Sequence, residues 1–169
     1  MIEAITARLP RVLRVEGPVH AEIAADPGGT GQAVAITALA SAIAAITSND
    51  RAIAGIVTAI ILAPIGLFLW SGISFVVGKL FGGTASYIAL TRPIGYSAAP
   101  FALGIIPGIG ALAGTIYSAI IQVKLHQEVN GLSQGAAVAV VLIPLVILFG
   151  LLILLAVVAS VALFGALNN

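Results

Sequence analysis

Two long apolar runs, Ile53 to Val77 and Ala136 to Leu167, constrain this chain more than anything else in it. Runs beyond about 18 apolar residues are long enough to cross a bilayer as helices. Strands of a membrane barrel would alternate every second residue in segments of about ten. Neither Ile60-Ile61-Leu62 nor Leu151-Leu152-Ile153-Leu154-Leu155 alternates. Composition agrees, since 8% of the 169 residues are charged, against about a quarter in a soluble domain. The expected fold is all-α, a polytopic transmembrane helix bundle.

The same composition closes several functional classes. A net charge of +1 without a run of like charges gives no handle for nucleic acid, and zero cysteines remove disulfides, thiolate metal sites and cysteine nucleophiles. Met1 to Pro10 carries charges and a proline where a signal peptide needs an apolar core, so it is expected to be retained.

Residues 1–29 are read as a cytoplasmic amphipathic arm, and residues 30–169 as the membrane domain. In the arm, Ile2, Ile5, Leu9 and Val12 recur at helical spacing beside Arg8, Arg11 and Arg14, a pattern interrupted at Pro10. Such an arm suits either a solvated tether or a segment lying on anionic lipid, each arginine then contributing about 1 kcal/mol. Pro18, Asp26, Pro27, Gly28 and Gly29 are expected to break any helix before the first span.

That first span is Ala-rich, from about Thr30 to Thr47, and closes on Ser48-Asn49-Asp50-Arg51, which is turn chemistry. The second runs from about Ala52 to Val77, with a kink expected at Pro64. Residues 84–123 are divided by Pro93, Pro100, Pro107 and Gly108. They form either two short spans, the first starting near Tyr87, or a re-entrant hairpin turning at Pro107-Gly108-Ile109-Gly110. The last span starts near Gly135 and passes Pro144. The expected total is five membrane helices, the third and fourth short.

With the N-terminus inside, cytoplasmic segments hold Arg8, Arg11, Arg14, Lys79, Arg92 and Lys124, and the outer loops hold only Arg51. The positive-inside rule then places the N-terminus in the cytoplasm and the C-terminus on the periplasmic or extracellular side. Helices in lipid associate through small residues that let backbones approach. Gly110, Gly114 and Ser118 form one such stripe; Ala33, Thr37, Ser41 and Ala45 form another.

No ionisable residue lies deep in the confident spans, and none of the nucleophile-elbow, zinc-protease or phosphate-loop patterns is present, so no catalytic, cofactor or metal residue is assigned. Gly28-Gly29-Thr30-Gly31 lacks the lysine of a phosphate loop and reads as the start of a helix. His126 has no second ligand at metal spacing and reads as an interfacial side chain; Lys124 and Glu128, four apart, can pair. Trp70 lies inside its span and reads as a packing residue.

Taken in order, Asp26-Pro27-Gly28-Gly29-Thr30, Trp70, Gly78-Lys79-Leu80-Phe81-Gly82-Gly83, Thr91-Arg92-Pro93-Ile94-Gly95-Tyr96, Ile106-Pro107-Gly108-Ile109-Gly110 and Glu128-Val129-Asn130-Gly131 form a familiar series. The chain resembles the bacterial branch of the Yip1-domain membrane proteins. The resemblance implies five membrane helices, a cytoplasmic N-terminus, an outer C-terminus and residence in the plasma (inner) membrane. It brings no catalytic residue. Rab GTPase binding, associated with eukaryotic relatives, is not carried over to so short an arm. The expected role is a non-enzymatic membrane scaffold whose partners are the lipid bilayer, other integral membrane proteins or a second copy. The alternatives are an accessory subunit of an energy-converting or transport complex, and a small-solute carrier.

Overall fold

A computed structural model describes residues 1–46 and 52–167; the expected turn at Ser48 to Arg51 lies outside them. The described residues are helical: α1 (Ile2–Leu13), α2 (Gly17–Ala25), α3 (Gly29–Ala45), α4 (Ala52–Leu80), α5 (Tyr87–Ser97), a 3₁₀ helix (Ala99–Ile105), α6 (Gly110–Asn130) and α7 (Gln134–Leu167). No strand occurs among them.

Two prolines act differently from the sequence reading. Helix α1 continues through Pro10. Pro18 starts α2 rather than breaking a helix, because the first turn has no intrahelical partner for its N–H and the ring already holds φ near the helical value. Pro64 and Pro144 are likewise carried within α4 and α7.

The centre of the molecule is α5 and the 3₁₀ helix that prolongs it. Leu90, Thr91 and every residue from Pro93 to Ser97 are buried. Ser86 caps α5, its Oγ accepting from the Ala89 amide at 3.3 Å, and Pro100 sits in the first turn of the 3₁₀ helix. Eleven α-helical and seven 3₁₀ residues rise roughly 30 Å together. Helix α3 runs beside this pair in the same direction, with Ala33 against Gly95 and Ala44 against Gly104. Helix α6 returns antiparallel to it after a turn at Pro107 and Gly108, where Gly108 takes φ +83°. Residues 84–123 therefore fold as a helical hairpin that begins at Tyr87.

Helices α4 and α7 flank this core, α4 against α3 and α5 and α7 against α6 and α4. On the other side α1 and α2 lie across α5, and α2 also packs on α6. The apolar face of α1, with Val12 fully buried and Ile5 and Leu9 packed beside it, joins Val19, Ile23, Ile36, Tyr96 and Ile121 in one cluster.

Residues Ile53–Leu80 and Gln134–Val161, with mean hydropathy 2.3 and 3.3, are each long and apolar enough to cross a membrane. A third crossing is added if α2 and α3, bent by 117°, make one span. The other helices fall short by themselves for visible reasons. Helix α5 has 11 residues where a crossing takes about 20, and the second half of α6 carries Gln122, Lys124, His126, Gln127 and Glu128.

Candidate functional site

The bend between α2 and α3 gathers most of the molecule's polar chemistry. Asp26 accepts from the Gly28 amide at 2.8 Å and from the Gln32 amide at 3.1 Å. It is also paired with Arg8, whose guanidinium reaches the Gln32 Oε1 at 3.2 Å. Tyr96, wholly buried, donates its hydroxyl to that same Gln32 oxygen. A single clasp thus joins α1, the α2–α3 bend, α3 and α5. The Arg8 guanidinium, then the Gly28 amide and the Gln32 side chain, hold the Asp26 carboxyl down to about 2.

Arg92 closes the bend from the α5 side. Its Nη1 donates to the Ala24 carbonyl at 2.6 Å and its Nε to the Thr30 hydroxyl at 3.3 Å. A cation against the last carbonyls of α2 is favoured both by hydrogen bonding and by the helix dipole. A Cβ at Gly29 would stand 2.9 Å from the Ile23 carbonyl and 3.1 Å from Arg92 Cδ, so the Asp-Pro-Gly-Gly-Thr run is what lets this arginine in.

The remaining basic residues of the sequence reading also have definite places. Arg11 makes a two-pronged pair with Glu22, at 2.7 and 2.9 Å, and meets Glu16 at 3.1 Å. That contact holds the Glu22 carboxyl below its ordinary range. Lys124 and Glu128 pair at 2.7 Å beside Gly17. Lys79 donates to the Gly83 carbonyl at 3.0 Å and lies over the Phe75 ring. Arg14 is exposed.

The stripe Gly110, Gly114, Ser118 is buried and faces the 3₁₀ helix. A Cβ at Gly114 would stand 2.5 Å from the Pro100 carbonyl, and one at Gly110 would collide with the Leu103 carbonyl. On the second stripe the Thr37 hydroxyl bonds the Ala33 carbonyl at 2.8 Å and reaches that of Gly95 at 3.3 Å.

His126 departs from its expected interfacial place: it is fully buried, with Nδ1 3.2 Å from the Asn130 amide. Its neighbour Asn130 is held by the end of α4 and by the loop that follows it to Gly83. Asn130 accepts from the Ala85 amide at 3.1 Å, and glycines at 78 and 83 leave room for its side chain. The loop is thereby joined to the end of α6. His20, also fully buried, has no partner for either ring nitrogen. Among the described residues no group of three His, Cys, Asp or Glu could hold a metal.

The Gly- and Pro-rich signature runs thus meet in space at two places, Gly29 and Thr30 against Arg92, and Gly78 and Gly83 against Asn130. The sequence model of the Yip1 domain matches residues 18–164. The chain belongs to the Yip1 family. The match takes in α2 to α7, and with them Asp26, Gln32 and Tyr96 of the clasp, while Arg8 lies before it. No curated protein and no solved structure matches this Yip1-domain chain.

Proposed function

We propose that this Yip1-domain protein is a non-enzymatic membrane scaffold that acts by associating with other integral membrane proteins or with a second copy of itself. The observation that supports the reading is α7. Its first turns are packed, with Ala137, Val140 and Val141 buried and Leu145 and Leu148 in a cavity wall, but from Ile153 to Val161 its side chains are exposed. Val146 is 70% exposed, Leu155 63% and Val161 66%. Ala156 and Ser160, four apart and exposed, offer the small surface through which membrane helices approach.

Five crossings suit this arrangement. Helix α3, α4, the α5–3₁₀ pair, α6 and α7 would each cross once, with the arm and every basic residue but Arg51 on the cytoplasmic side of a plasma membrane and the C-terminus outside. The clasp at Asp26 and Arg92, the Gly78–Gly83 loop and the end of α6 would then share the inner face.

The test is extraction in mild detergent followed by native-size separation and mass spectrometry of what stays bound. A species above the 17.0 kDa of one chain, reduced by Ala156→Ile with Ser160→Ile, is the expected result. A bare monomer in both forms would overturn the reading, and a fixed ratio to a larger complex would replace it with the accessory-subunit alternative.

A further inference from the structure

A cavity of about 310 Å³ opens between α3, α4, the α5–3₁₀ pair, α6 and α7. No ionisable side chain lines it. Trp70, in its wall, precedes Lys79 by nine residues of the same helix, which is about 14 Å along the axis. That is near half the roughly 30 Å hydrocarbon thickness of a bilayer.

Water does not suit this space. It has room for on the order of ten molecules, each needing two to four polar partners, and most of the hydroxyls in the wall are already engaged. Thr37 donates to the Ala33 carbonyl, Ser97 to that of Ile94 at 2.7 Å, and Thr115 to that of Ala111 at 2.8 Å.

One corner is different. The Trp70 indole donates to Gln122 Oε1 at 2.7 Å, and Gln122 Nε2 donates to the Ser118 hydroxyl at 3.2 Å. An indole N–H can only donate, so it fixes which end of the amide faces it. The second amide hydrogen of Gln122 and the hydroxyl hydrogen of Ser118 remain to be offered. A mostly apolar pocket of at least about 300 Å³ with a few placed polar groups is the usual form of a small-molecule site. Here those groups are neutral donors at mid-membrane depth. A phospholipid keeps its ester oxygens near its charged headgroup, half a bilayer away.

We propose that this cavity binds an uncharged lipid, a hydrocarbon chain carrying a neutral oxygen acceptor that rests against Ser118 and Gln122. The proposal stands apart from the scaffold reading, since it concerns the interior and not the outer face of α7.

Trp70 is the one tryptophan of the chain, so its fluorescence reports the site directly. The full-length protein in liposomes is titrated with a dibrominated long-chain alcohol, and separately with a dibrominated phosphatidylcholine. The expected result is saturable quenching by the alcohol and quenching by the phospholipid that rises only in proportion to its content. Gly66→Phe should abolish the saturable part, because Gly66 lines the cavity and a Cβ there meets nothing within 4 Å. Ser118→Ala, which only removes an atom and so keeps the test open if the larger variant misfolds, should raise the half-saturation roughly fivefold. Proportional quenching by both probes, or equal saturation by both, would overturn the proposal.

Discussion

Asp26 shows how much of this fold hangs on single side chains at the bend between α2 and α3. Its carboxylate holds a backbone amide, a glutamine and an arginine from three different segments. Because its folded-state value is about 2, below the ordinary 3.8, the stabilisation is complete above pH 4 and is lost as pH falls from there toward 2. Asp26→Asn should therefore flatten that window. The protection of the α1 amides, corrected for intrinsic exchange at each pH, should fall more steeply below pH 4 in the wild type than in the variant, where the Arg11–Glu22 pair alone still titrates. Arg92 makes a separate demand. A lysine has the charge but not the fork that reaches both the Ala24 carbonyl and Thr30. Arg92→Lys should destabilise the folded protein by on the order of 2 kcal/mol, read as a lower midpoint in thermal unfolding in detergent. Apart from the local turn at Asp26 and Gly28, these contacts are not visible in the sequence as a motif. Tyr96 and Gln32 are 64 positions apart and Trp70 and Gln122 are 52 apart; such pairs form only once three helices have closed on one another.

Helices were legible in proportion to how little they rely on their neighbours. Ile53 to Val77 and Ala136 to Leu167 announce α4 and α7 because lipid is the partner of most of their surface, and their periodicity does not matter. Helix α5 is the opposite case. It is short, contains Pro93 and is prolonged by a 3₁₀ turn from Ala99, so local propensity argues for a loop and only burial between α3, α4 and α6 settles it. Helix α2 was obscured by Pro18, which opens a helix as readily as it ends one. The stripe at Gly110, Gly114 and Ser118 stood out because close helix approach needs small residues at fixed spacing, although the element it meets could not be read from it. Gly95 makes the strictest case at this scale. A Cβ there would overlap the Ala33 methyl, so Gly95→Ala should cost about 1–3 kcal/mol through overpacking, and Gly114→Leu should prevent assembly of the α6 hairpin. A thermal midpoint and a monodisperse detergent profile unchanged from the wild type would remove the seam from the account.

At the scale of the molecule, the arrangement of ends is the feature that function must use. The Thr84 amide donates to the Asn130 carbonyl at 3.2 Å, which brings the end of α4, the start of α5 and the end of α6 to one face of the bundle. Helix α7 starts from that face, and the α2–α3 bend is drawn toward it by Arg92. The turn at residues 106–109 lies at the other end of the hairpin. Lys79, Lys124 and the arginines of the arm belong to the first group, so if the positive-inside rule governs this chain, that face is cytoplasmic. Cysteines can be placed without background, since the sequence has none. A cysteine at Ile109, 70% exposed in the hairpin turn, should react with an impermeant thiol reagent applied to intact cells. One at Phe81, 42% exposed in the loop after α4, should react only after permeabilisation. Reaction of both from outside would mean that the α5–α6 hairpin does not cross, leaving three crossings at most. Reaction of Phe81 alone would invert the molecule and put the clasp at Asp26 on the outer face, where the arm would have no access to cytoplasmic partners.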